Sequence, residues 1–376
     1  LYQKDGREAC TNWKYYVGTG PFIISDYIPA NLVALDRNPN YFKKDPIGPG
    51  QGNQLPYLDK VRYVVIPDRS TQQAALRTGN VDQMGGFLGF TLEEKTLMIN
   101  QVPALKVAQR GAGLVSPIFM RVDKPELPFY KKAVRRAMMM ATDFQTINKS
   151  LYAGLGDLVS WPYRYAPAYA DLYLGLDDPE CPDSVRELYT YNPDKAKELL
   201  KEAGYPTGFK TTLTITAVQA DYYSIIKDQW AKVGITLDLK VIEGGALIGT
   251  AASQAYDMIS IFFSPVFTYP EQAQYTTGTG WLNCSLISDP YIDEQAKKTK
   301  EAAITDFGPA MKITKELMKY VLDQAYCIPT PAYPMYCLWW PWLKNYSGET
   351  SVGYAPGDSW VQYVWYDQAL RKSMGY

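Results

Sequence analysis

Apolar side chains recur along this chain with two periods, and these divide it into a strand-rich first third and a region of alternating helices and strands. Phe22-Ile23-Ile24 and Leu32-Val33-Ala34-Leu35 are short β-type runs separated by Asp26 and Pro29-Ala30-Asn31. Ile47 to Asn53 is rich in glycine and proline and predicts a surface loop. Val61 to Ile66 predicts a strand closed by Pro67-Asp68, and Thr71 to Arg77 a short helix ending at Gly79.

The clearest helical signal lies in the middle. Asn192 is a good N-cap, and Pro193 falls at the first helical position, where its missing N–H costs nothing. Ala196, Leu199, Leu200 and Ala203 then make one apolar stripe, and Gly204 and Pro206 end it. Next, Leu213, Ile215 and Ala217 alternate with threonines, which is strand period. Asp221 to Lys232 predicts a helix burying Tyr223, Ile226 and Trp230. After Gly234, Ile235 to Val241 alternates again. Two strands joined by one helix predict a parallel, right-handed crossover, so this region is α/β. Further helices are expected at Pro290–Ala302 and Phe307–Leu322, and an aromatic, irregular stretch from Trp339 to Tyr366.

Composition narrows the chemistry. The chain has 376 residues, enough for two domains, and its 38 basic and 39 acidic side chains give no field to attract nucleic acid or anionic lipid. It contains no histidine, which excludes histidine-based triads and dyads and removes the commonest metal ligand. Catalysis by carboxylate, lysine or tyrosine stays open on composition alone. Cys10, Cys181, Cys284, Cys327 and Cys337 form no Cys-x-x-Cys pair. Cys327 and Cys337 could bridge if two strands bring them together; buried thiols are the alternative. The uncharged run Gln324 to Leu343 is long enough to span a bilayer, but Pro329, Pro331, Pro334 and Pro341 would break a helix there. Extended chain is expected instead. The sequence does not open on a signal peptide, and Leu1 is not a natural start, so a processed or truncated product is expected.

Several blocks together resemble one family. They are Val17-Gly18-Thr19-Gly20-Pro21-Phe22, Leu35-Asp36-Arg37-Asn38-Pro39-Asn40-Tyr41-Phe42, Leu58-Asp59-Lys60-Val61, and Ala75-Leu76-Arg77-Thr78-Gly79-Asn80-Val81-Asp82. Pro128-Phe129 through Ala141-Thr142-Asp143 follows, and then the most specific block, Tyr191-Asn192-Pro193 through Ala203-Gly204-Tyr205. Trp230-Ala231-Lys232-Val233-Gly234-Ile235 and Asp289-Pro290-Tyr291-Ile292-Asp293 complete the series. In this order they resemble the family 5 extracellular solute-binding proteins of ABC transporters, the dipeptide, oligopeptide and nickel type. The resemblance implies an α/β, two-lobed, periplasmic-binding-protein-like fold (type II, Venus-flytrap) with hinge crossings. Lobe one would hold residues 1–115 and 340–376, and lobe two 116–339. The N-terminal portion that the family carries before its Gly-Thr-Gly-Pro block is expected to be missing here, with a separate chain as a candidate source.

The resemblance also locates candidate ligand-binding residues. The family's amine-binding loop corresponds to Ser264 through Glu271. There Thr268 stands where peptide binders carry an aspartate, and a hydroxyl cannot supply that full charge. Thr268, Tyr269 and Glu271 are the expected contacts from this loop. Phe262, Phe263, Trp281 and Trp161 are expected to add aromatic area, with core packing as the alternative for each. Arg121, beside the hinge, could take a ligand carboxylate bidentately; a surface or inter-lobe ion pair is its alternative. Thr277-Gly278-Thr279-Gly280 lacks the Lys and Ser/Thr of a P-loop and reads as a turn, and Met138-Met139-Met140 as core filling rather than a soft-metal site. The expected protein is an extracytoplasmic receptor, periplasmic or tethered at the cell surface as a lipoprotein. It would close on a peptide or other small organic solute and dock on ABC permease subunits, with no nucleic-acid partner and no membrane contact beyond a tether or that permease. On this reading the chain is expected to be no enzyme and to have no cofactor, metal site or catalytic residue. The first rival is the same fold reused as a structural or self-assembling cell-surface component; the second is a carboxylate-dependent hydrolase, which needs a pair of acids that the sequence does not show.

Overall fold

The computed structural model describes residues 6, 12–85, 89–110, 115–261, 272–349 and 359–376, apart from the side chains of Arg110, Pro167, Ala168 and Trp281. The chain divides into two compact units. The first holds Leu1–Arg110 and Met335–Tyr376, the second Gly111–Pro334.

In the first unit, Phe22–Ile28, Leu32–Arg37 and Lys60–Val64 form an antiparallel sheet in chain order, with a bulge between Ile24 and Asp26. The helix Arg69–Arg77 starts two residues before the sequence suggests, because Asp68 caps it by accepting from the Thr71 backbone N–H at 2.7 Å. Leu92–Gln101 opens with a reciprocal capping box between Thr91 and Glu94. A second sheet places Met335–Trp339 between Gln83–Met84 and Lys106–Arg110, antiparallel to both. This pairing draws residues 335–339, expected in lobe two, into the first unit, and the unit boundaries fall at Arg110/Gly111 and Pro334/Met335. Trp340 and Trp342 then stack, centroids 4.3 Å apart, in a core with Leu76, Phe90 and Met98.

The second unit is built on a mixed sheet of order Cys327–Ile328, Ile118–Met120, Met258–Ser260, Phe209–Thr216 and Ile235–Ile242. Phe209–Thr216 and Ile235–Ile242 run parallel, Leu213 opposite Leu239, with the helix Ala220–Ala231 between them in sequence. That helix buries Tyr223, Ile226 and Trp230, as its periodicity predicts. The strands can start side by side because Gly208 and Gly234 both have positive φ, and a Cβ on Gly208 would lie 1.9 Å from the Gly234 carbonyl oxygen. Asn192 caps Pro193–Glu202 through the Lys195 N–H, and Ala196 and Leu200 are its buried contacts. Met138, Met139 and Met140 end the helix Lys132–Met140 and are all buried in the core.

The proline-rich uncharged run carries the short strand Cys327–Ile328 and the strand Met335–Trp339. Among the described residues no helix is long and apolar enough to cross a membrane. Cys327 and Cys337 are both thiols, and no bridge joins them. Cys327 pairs with Phe119 in the second unit's sheet, and Cys337 pairs with Ala108 in the first unit's. Cys10 lies outside the described residues.

Candidate functional site

Of the eight candidate ligand-binding residues, Phe262, Phe263, Thr268, Tyr269 and Glu271 lie outside the described residues. The backbone of Trp281 sits in the 3-10 turn Gly280–Leu282. Trp161 and Arg121 are fully described, and both belong to the second unit.

Arg121 follows the strand Ile118–Met120, its N–H bonded to the Asp257 carbonyl. Its guanidinium donates to both carboxylate oxygens of Asp123 and to the Gln254 carbonyl, each at 2.6 Å, and lies over the Tyr256 ring. Three of its five N–H donors, one on each nitrogen, are therefore used from within the second unit. The Arg121 hydrogen bonds outweigh the effect of burial and hold the Asp123 carboxyl below its usual range. The alternative that the sequence offered to ligand binding was a surface or inter-lobe ion pair; this pair instead lies within the second unit, with its arginine nearly buried.

Trp161 is buried and meets Tyr275 edge-on, ring centroids 6.3 Å apart and planes at 84°. The Tyr275 hydroxyl shares a 2.6 Å hydrogen bond with that of Tyr163. Tyr275 is positioned by its own turn: its backbone N–H bonds the Gln272 carbonyl, which also accepts from the Thr276 hydroxyl. The loop is then fixed by Asn283, whose amide donates to Thr276 and Ile287 carbonyls and accepts from the Ile287 N–H. Gln272 and Gln274 are equally buried, yet neither carboxamide has a hydrogen-bond partner, and the Trp161 indole N–H has none either. Sequence reasoning did not single out either glutamine; the one available signal was their position directly after the loop ending at Glu271.

A second polar group lies at the ends of the central strands. The Ser116 carbonyl accepts from the hydroxyls of Tyr223 and Ser260, and Gln219 donates to Ser260 at 2.9 Å. The Ser116 N–H is held by the Thr330 hydroxyl at 2.9 Å. Among the described residues, no group of three or more Cys, Asp or Glu side chains could hold a metal ion.

The architecture is that of the two-lobed periplasmic binding proteins. The periplasmic binding protein DppA of Helicobacter pylori, solved in complex with the peptide STSA, superposes with a TM-score of 0.76 at 24% identity, over 98% of this chain and 66% of that one. The chain belongs to the bacterial extracellular solute-binding proteins, family 5, whose Middle model matches residues 2–281. It is 26% identical over 348 residues to di/tripeptide-binding protein 1 of Pseudomonas aeruginosa, covering 87% of this chain and 57% of the relative. It is 28% identical over 226 residues to heme-binding protein A of Haemophilus influenzae, covering 58% of this chain and 36% of the relative. The chain thus spans from about a third to somewhat over half the length of these two relatives. The family is one of binding proteins, not enzymes, and both relatives are named for what they bind.

Proposed function

We propose that the chain belongs to an extracytoplasmic receptor of an ABC importer, one that captures a peptide or other small organic solute and delivers it to permease subunits. The observation that carries this reading is the family match over residues 2–281. In this reading the loop Phe262 to Glu271 and the aromatic residues Trp161 and Trp281 contribute to the ligand site, and membrane contact runs through a tether or the permease. Binding would act by population shift, because solute contacts favour only the closed form and no bond is made or broken. The test is native mass spectrometry of the protein isolated from its source, followed by denaturation and identification of any released small molecule. A stoichiometric organic solute supports the reading. A chain that is folded and empty, and that assembles into regular oligomers, overturns it.

A further inference from the structure

Exposed apolar side chains are ordinarily scattered singly over a protein surface. One loop of the first unit departs from this. Among the described residues five large apolar side chains are at least 70% exposed, and two of them, Phe42 at 70% and Ile47 at 76%, fall in this one short stretch. Lys43 and Lys44 stand between them in the chain, both exposed, and the Lys43 ammonium lies 6.0 Å from the centroid of the Phe42 ring. The neighbouring acids are engaged elsewhere. Asp45 is buried and accepts from the Tyr57 hydroxyl at 2.7 Å and from the Ile47 N–H at 3.3 Å. Asp36 and Asp59 face Lys60 and Arg37. The backbone beneath is fixed. Tyr41 is buried with its hydroxyl on Gln362, the Gln54 carboxamide donates to the Tyr41 and Leu55 carbonyls, and the Asp45 N–H and carbonyl bond Asn53 and Gly52. The loop thus keeps Phe42 and Ile47 in water, at a cost that an apolar environment would remove. The whole chain has no net field for anionic lipid, but screening limits each charge to about 8 Å at physiological salt, so the two local lysines decide. Lysines are drawn to anionic headgroups, and phenylalanine and isoleucine reach the acyl boundary beneath them. A fluid lipid surface accepts such side chains without the shaped pocket that a protein partner would have to supply.

We propose that the loop from Phe42 to Ile47 docks the first unit directly on an anionic lipid surface, with Lys43 and Lys44 on the headgroups and Phe42 and Ile47 inserted at the interface. The proposal rests on the receptor reading above, which puts the protein at a membrane, and adds a direct contact to its tether or permease. Vesicle flotation of the full chain tests it, with vesicles of phosphatidylcholine alone or of phosphatidylcholine mixed equally with phosphatidylglycerol. Flotation with the mixed vesicles only, weakened by salt, is expected. Lys43→Gln with Lys44→Gln, and separately Phe42→Ser with Ile47→Ser, are each expected to weaken it about tenfold at unchanged Tm. Ile304→Ser with Phe307→Ser, at another pair of exposed apolar side chains, leaves it unchanged. No flotation, equal flotation with the neutral vesicles, or an equal loss in the Ile304 and Phe307 variant overturns the proposal. If the chain carries its solute in native mass spectrometry yet floats with neither vesicle, only the lipid contact fails. If it floats as expected yet carries no solute, only the receptor reading fails.

Discussion

Arg121 grips Asp123 through two parallel hydrogen bonds of 2.6 Å, Nε to Oδ1 and Nη2 to Oδ2. The pair is two residues apart at the end of a central strand, and its arginine is nearly buried while about a third of the aspartate stays exposed. This geometry directs Arg121 toward holding the second unit together. Arg121→Leu is expected to lower stability by about 2 kcal/mol, less than the loss at a fully buried pair. Solute affinity should change little. Denaturant unfolding alongside calorimetric titration separates the two, and a variant of unchanged stability with lost affinity would make Arg121 a ligand residue instead.

Glu94 links two helices of the first unit. Burial alone would raise its carboxyl, but hydrogen bonds from Arg69, at 2.6 and 2.7 Å, and from the Thr91 N–H outweigh it and hold it below the usual range. A depressed folded value means the contribution is complete above the unfolded value of about 4.3 and is lost as pH falls through the folded one. Glu94→Gln should cost about 1–2 kcal/mol at neutral pH and flatten the acid limb of the stability curve. Parallel acid limbs for variant and parent would contradict this.

The paired glycines at the start of the parallel strands make a sharper prediction. Gly208→Ala combines a positive φ with a Cβ driven against the Gly234 carbonyl. Backbone cannot yield there as a flexible side chain could, so the cost is expected to be about 2 kcal/mol or more. Chemical denaturation would show it; a stable Gly208→Ala chain would mean the two strand starts can separate.

Burial also pushes up the thiols of Cys181, Cys284 and Cys327, that of Cys284 to about 12. With Cys337, also buried, they should resist modification by a thiol reagent in the native protein and react on unfolding. Peptide mapping reads the result. A linked 327–337 peptide would contradict the free thiols of the structure.

What the sequence revealed follows from the range of the interactions. Pro193–Glu202 is legible because its cap, apolar stripe and terminator all lie within fifteen residues, and the Ala220–Ala231 helix because its buried face follows helical period. The pairing of Met335–Trp339 with Lys106–Arg110 joins segments more than two hundred residues apart, so no local pattern announces it. The candidate site was legible only as far as the family resemblance reached. The Asp123 partner of Arg121 could not be read from the sequence, and the buried glutamines at 272 and 274 look like ordinary surface residues until the fold encloses them.

Lacking histidine, the protein has no side chain whose ordinary pKa falls near neutrality. Solute affinity is accordingly expected to be nearly constant between about pH 6 and 8. Calorimetric titration across that range checks it, and a steep dependence would require a strongly shifted carboxylate or thiol at the site.

The central claim is that this chain binds a solute, and equilibrium dialysis against a mixture of di- and tripeptides, with heme in a parallel cell, tests it most directly. The account predicts that one class is retained in proportion to the chain and raises its Tm. Retention of neither by a chain whose cooperative unfolding shows it to be folded, and which carries no organic solute when isolated from its source, would contradict it.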